Sequence, residues 1–140
     1  MLTPLLLTGS PDVTLTLAPE AAQCGFPSPA QDYPTEELSL IEHLIRDPAA
    51  TYFWRAAGIS MEPVIPDGSL LIVDRGITPA PGRIVIAVVD GEFTTKRLQI
   101  TRDGQVLLRA ENPSHADIIL PELSELTIWG VVTYIISSAG

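Results

Sequence analysis

With 140 residues, 46% of them apolar, and a formal net charge of −9, the chain is long enough for one domain with a core of its own. The apolar content and low charged fraction exclude general disorder, and the acidic balance excludes non-specific binding to phosphate backbones, which takes clustered Lys and Arg. The asymmetry is sharper still: residues 1–45 hold no Lys or Arg and all eight basic residues follow, so no direct sequence-specific DNA binding through a basic N-terminal helix is expected.

The single cysteine, Cys24, permits no intramolecular disulfide and points to a reducing, cytoplasmic setting. The apolar start at Leu5-Leu6-Leu7 lacks a basic n-region and is interrupted by Pro4, Gly9, Pro11 and Asp12. No apolar run reaches membrane-spanning length, so no membrane partner is expected.

Residues 1–24 are expected to be an extended arm, in which Val13, Leu15 and Leu17 alternate with Thr14 and Thr16 as a short strand. Residues 25–38 are expected to be a linker, because Pro27-Ser28-Pro29 is extended and cannot continue a helix. The remaining stretch, 39–140, is the expected main domain. Ser39 with Glu42 makes a capping box for a helix over 39–47, with Leu40, Ile41, Leu44 and Ile45 on one side and Pro48 as the stop.

From Thr51 onward the pattern is β. Tyr52-Phe53-Trp54 begins a strand running toward Gly58, and Leu70 to Val73 reads as a buried strand after the turn at Pro66-Asp67-Gly68. Ile84 to Val89 is a long apolar strand, and Asp90-Gly91 is a two-residue hairpin turn leading into Glu92. Asp103-Gly104 is expected to repeat that device between Ile100 and Val106. Ile118–Leu120 and Thr127–Ile136 complete a fold that is mainly β: a rolled sheet with one short helix and an extended N-terminal arm.

The hairpin decides which way the chemistry faces. Side chains alternate along a strand, so Thr94, Lys96, Leu98 and Ile100 share one face. A lysine in line with Leu98 and Ile100 is costly to bury as a cation, and desolvation lowers its pKa toward the range of a general base. Gly58-Ile59-Ser60-Met61 offers the complementary nucleophile: Ser60 on a tight turn, with the backbone N–H groups of Ile59 and Ser60 as candidate oxyanion donors. Ser60 with Lys96 is a known variant of triad logic. The plain alternatives are a turn serine and a solvated lysine whose stem covers apolar surface. His43 and His115 stand alone, no metal-ligand spacing or glycine-rich phosphate loop is present, and Cys24 has no neighbouring base, so neither metal nor cofactor is expected.

The motifs together carry a resemblance. Gln23-Cys24-Gly25-Phe26-Pro27-Ser28-Pro29, Ala50-Thr51-Tyr52-Phe53, Gly58-x-Ser60-Met61, Asp67-Gly68-x-Leu70-Leu71-Ile72-Val73-Asp74 and Val89-Asp90-Gly91-Glu92-Phe93-Thr94-x-Lys96 resemble the UmuD-type branch of the LexA-like self-cleaving serine peptidase family. The chain departs from that pattern at Glu62-Pro63-Val64-Ile65-Pro66 and at Ser69. The resemblance implies a LexA-like, signal-peptidase-like fold, Ser60 as nucleophile, Lys96 as its base, and a scissile bond between Cys24 and Gly25. It also implies stimulation by a RecA filament on single-stranded DNA, and a shortened homodimer that serves a UmuC-type translesion polymerase in the SOS response. Two other readings stay open. One is a type I signal-peptidase-like enzyme, suggested by Ser60-Met61-x-Pro63 and Lys96-Arg97; the other is a non-catalytic polymerase-binding module.

Overall fold

In the computed structural model, which describes residues 4–6, 14–17, 36–121 and 127–140, the chain is mainly β. The elements in order are β1 (Pro4–Leu6), β2 (Thr14–Leu17), β3 (Glu36–Ser39), α1 (Leu40–Leu44), β4 (Thr51–Arg55), β5 (Leu70–Asp74), β6 (Ile84–Val89), β7 (Glu92–Ile100), β8 (Val106–Arg109), β9 (Ile118–Leu120) and β10 (Ile128–Ile136). They fall into two units, Met1–Thr8 with Asp47–Gly140, and Gly9–Arg46. Val13, Cys24 and Gly25 lie outside the described residues. No helix among the described residues is long and apolar enough to cross a membrane.

In the unit Gly9–Arg46, β2 pairs antiparallel with β3, Leu15 opposite Leu38. Ser39 caps α1 as its spacing predicts, its side chain accepting from the Glu42 N–H at 3.3 Å. The helix is shorter than the expected 39–47: it closes at Leu44, and Ile45 is already extended. Asp47, which precedes Pro48, is extended too and caps a separate 3-10 turn over Pro48–Ala50. The proline thus acts upstream of itself and removes the last turn of the expected helix.

In the larger unit, eight strands form one sheet in the order β1-β4-β5-β10-β6-β7-β8-β9. The β6–β7 turn matches expectation: Asp90 and Gly91 both have positive φ, 50° and 77°, the combination of a primed hairpin turn. The β7–β8 connection differs. Gly104 N–H donates to Thr101 O at 2.9 Å, Thr101 N–H donates to Gln105 O at 2.9 Å, and only Gly104 has positive φ. Thr101 also ties its hydroxyl to Asp103 and to the Gln105 N–H, so a longer loop wins over the two-residue turn.

Ile84 to Val89 is an unbroken apolar run because β6 is covered on both faces. Ile84 and Ile86 enter one core with Trp54, Met61, Ile65, Leu71 and Val73; Val85 and Ala87 enter a second with Leu98, Val106, Leu108 and Val131. β10 sits between β5 and β6 and bends at two register shifts, one on each partner. Gly130 lies at this crossing, where a β-carbon would stand 2.7 Å from Val73 Cγ1. Val73 is fully buried and β-branched, with nowhere to turn. Gly130→Ala is therefore expected to destabilise the domain by ~1–3 kcal/mol, read as a lower urea midpoint.

Candidate active site

Ser60 is presented by the segment between β4 and β5. Gly58 has φ +96°, a value only glycine adopts freely, and its N–H donates to Asp67 Oδ1 at 2.8 Å. The loop is closed at its base by Ala56 N–H to Ser69 O and Gly68 N–H to Ala56 O, at 2.8 and 2.9 Å. One helical turn follows, with Ile65 N–H donating to Met61 O at 2.8 Å. Met61 and Ile65, four apart on that turn, are buried in the core and anchor it. Ser60 occupies the adjoining side and lines a cleft with Ala57, Gly58, Phe93 and Thr94.

Lys96 arrives from the other half of the sheet, on β7 opposite Val85 of β6. It shares the buried face with Leu98, as alternation requires, and is only 7% exposed. Its Nζ lies 3.2 Å from Ser60 Oγ, 2.8 Å from Thr94 Oγ1 and 3.1 Å from the Thr95 carbonyl oxygen. Burial holds its pKa below the usual lysine range. Among the described residues no carboxylate lies within ion-pair distance of Nζ to restore the charge.

A neutral amine has two N–H bonds and one lone pair. When the amine is neutral, the Thr95 carbonyl and Thr94 Oγ1 can accept its two N–H bonds. The lone pair is then left for the Ser60 hydroxyl, which is the polarity a general base needs. Thr94 was placed on the Lys96 face by alternation, but nothing in the spacing announced this contact. Thr94→Val keeps the shape and removes the acceptor; a roughly tenfold slower Ser60-dependent acylation by an activated acyl probe is expected.

Two further residues had no sequence signal. Glu111 pairs with Arg97, the neighbour of Lys96 on β7. Asn112 grips the Ser60 segment twice: its N–H donates to Ser60 O at 2.9 Å and its Nδ2 to Ile59 O at 3.1 Å. His115, with Nδ1 3.4 Å from Ser114 Oγ, is not a partner of Ser60. The Ile59 and Ser60 N–H groups, expected as oxyanion donors, lie on the same turn as the Ser60 hydroxyl.

A profile of the Peptidase S24-like family matches residues 16–133. The chain is 48% identical over 121 residues to protein SamA of Salmonella typhimurium, covering 86% of this chain and 83% of that one. It is 46% identical over 111 residues to protein MucA of Salmonella typhimurium, covering 79% of this chain and 75% of the relative. Protein ImpA of Salmonella typhimurium is 42% identical over 130 residues, 92% of this chain and 88% of its own. The match takes in both the Ser60 turn and the Lys96 strand, and the mainly β architecture agrees with it: the chain belongs to the Peptidase S24-like family.

Proposed function

We propose that this chain is a self-cleaving serine endopeptidase that cuts its own Cys24-Gly25 bond. The carrying observation is the approach of Lys96 Nζ to Ser60 Oγ at 3.2 Å, with Thr94 Oγ1 and the Thr95 carbonyl oxygen also within hydrogen-bond distance of the amine. Ser60 Oγ attacks the Cys24 carbonyl carbon while its proton passes to Lys96 Nζ. The oxyanion is met by backbone N–H groups of the Ser60 turn. Lys96 then returns the proton to the Gly25 nitrogen, the C–N bond breaks, and Ser60 carries residues 1–24 as an ester. Water, deprotonated by the same amine, releases the fragment.

In this reading residues 1–24 are a removable arm, 25–38 a linker and 39–140 the peptidase domain. The resemblance to UmuD-type proteins supports a cytoplasmic SOS role: a RecA filament on single-stranded DNA stimulates the cut, and the shortened homodimer serves a UmuC-type translesion polymerase.

The test is the intact mass of the purified full chain over time, alone at alkaline pH and with RecA, nucleotide and single-stranded DNA at neutral pH, beside Ser60→Ala. Loss of residues 1–24 in the wild type only is the expected result. No cleavage in either condition overturns the reading. Because the active amine is neutral and its pKa is depressed, the rate should climb with pH and level off. Its midpoint should fall below the ordinary lysine value of about 10.4.

A further inference from the structure

We propose that Asn112 is a positioning residue that aims the oxyanion-binding N–H groups at the Ser60 turn. The inference rests on the self-cleavage reading above and deepens it. A trans peptide points its C=O and N–H in opposite directions. Asn112 Nδ2 holds Ile59 O at 3.1 Å, which turns the Ser60 N–H of the same peptide away from the Asn112 loop. The Asn112 N–H holds Ser60 O at 2.9 Å, which does the same for the Met61 N–H. Asn112 thus holds two consecutive peptide planes from 53 positions away; Ile59 O also accepts from the Glu62 N–H of the turn at 3.1 Å, whereas Ser60 O is held by Asn112. Ser60 and Met61 line the cleft, whereas Asn112 is not among its described lining residues.

Asn112 is itself held. Its Oδ1 accepts from the Ser114 N–H at 3.1 Å and from Ser114 Oγ at 2.8 Å. Both are donors to one oxygen, so the amide can present only its nitrogen to Ile59. The preceding residue, Glu111, is paired with Arg97 beside Lys96. One short loop therefore grips the chain next to both members of the dyad. The donors implied are those of Ser60 and Met61, one residue along from the Ile59 and Ser60 pair expected from sequence.

The experiment follows self-cleavage of the full chain against pH for wild type, Ser60→Ala, Asn112→Ala and Ser114→Ala, with thermal melting of each. Asn112→Ala adds no charge and leaves Lys96 untouched. Its plateau rate is expected to fall roughly 10- to 100-fold, with the pH midpoint unchanged. Ser114→Ala, which removes one of the two anchors on Oδ1, should fall about two- to fivefold in the same manner. A merely structural role would instead lower the melting temperature in proportion to the rate, or move the midpoint as Lys96 is displaced. An Asn112→Ala plateau within twofold of wild type, or a shifted midpoint, overturns the proposal. Should Asn112→Ala fail to fold, Ser114→Ala decides, and a wild-type rate for it overturns the proposal too. Absence of Ser60-dependent cleavage in the wild type is a different result: it removes the self-cleavage reading, and this inference with it.

Discussion

Lys96→Met is expected to slow self-cleavage at Cys24-Gly25 by at least about 10³-fold and to erase its pH dependence. Methionine keeps the length and apolar stem of the side chain, so Leu98 and Val85 remain packed, but no lone pair reaches Ser60 Oγ. The same substitution has a second signature, in stability. Burial lowers the Lys96 pKa in the folded chain, so the protonated side chain is held less comfortably there than in the unfolded state. That penalty is complete below the folded pKa and disappears as pH rises from there to the unfolded value of about 10.4. Methionine pays none of it. The stability difference between Lys96→Met and wild type should therefore shift steadily in favour of wild type as pH rises through that window. Urea melts at several alkaline pH values, on Ser60→Ala backgrounds to prevent cutting, measure this. A difference that is flat with pH would mean that Lys96 titrates as a solvated lysine and is no base for Ser60.

Trp54→Ala is expected to cost about 3–5 kcal/mol, the largest loss of any single truncation in this core. Trp54 is fully buried on β4 and meets Trp129 and Phe93 edge to face, with ring centroids 4.9 Å from each. Phe93 also lines the cleft beside Ser60, and Trp129 carries Tyr52 on its other side at 5.0 Å. The indole is thus the joint between β4, the central strand β10 and the hairpin that bears Lys96. Removing it leaves a large void against the Phe93 and Trp129 rings, which are fixed by their own strands and cannot collapse inward. The urea midpoint should drop with little change in the slope of the transition. Trp54→Phe, which refills part of the volume, should recover more than half of the loss. A small effect of Trp54→Ala would show that the first core relaxes freely around the site.

How much was legible in the sequence depends on how far apart the deciding residues lie. The Asp90-Gly91 turn is local chemistry, and from it the facing of Lys96 beside Leu98 follows by counting twos. The cap at Ser39 is likewise local, and its helix was overestimated only because Pro48 constrains the residue before it. Asp103-Gly104 has the same letters as the first turn, yet Thr101 offered its own hydroxyl and carbonyl and made a longer loop. β1 and β3 carry too little alternation to announce themselves, and their strand character comes from partners, Phe53 for Leu5 and Leu15 for Leu38. Asn112 was invisible for the same reason: an asparagine before a proline reads as a turn residue, and its bonds to Ile59 and Ser60 are made across the fold. Cys24 and Gly25 rest on motif resemblance alone, since they lie outside the described residues.

The placement of β10 has a consequence in time. It follows the other described strands in sequence, yet it is the seam of the sheet: β5 pairs with one edge of it and β6 with the other, and among the described residues no other strand joins those two halves. Ser60 belongs to the half that is translated first, and Lys96 to the half that follows. While a chain is still leaving the ribosome both residues exist, but the strand that brings their halves into register does not. The approach of Lys96 to Ser60 is consequently completed only once β10 has paired with both β5 and β6.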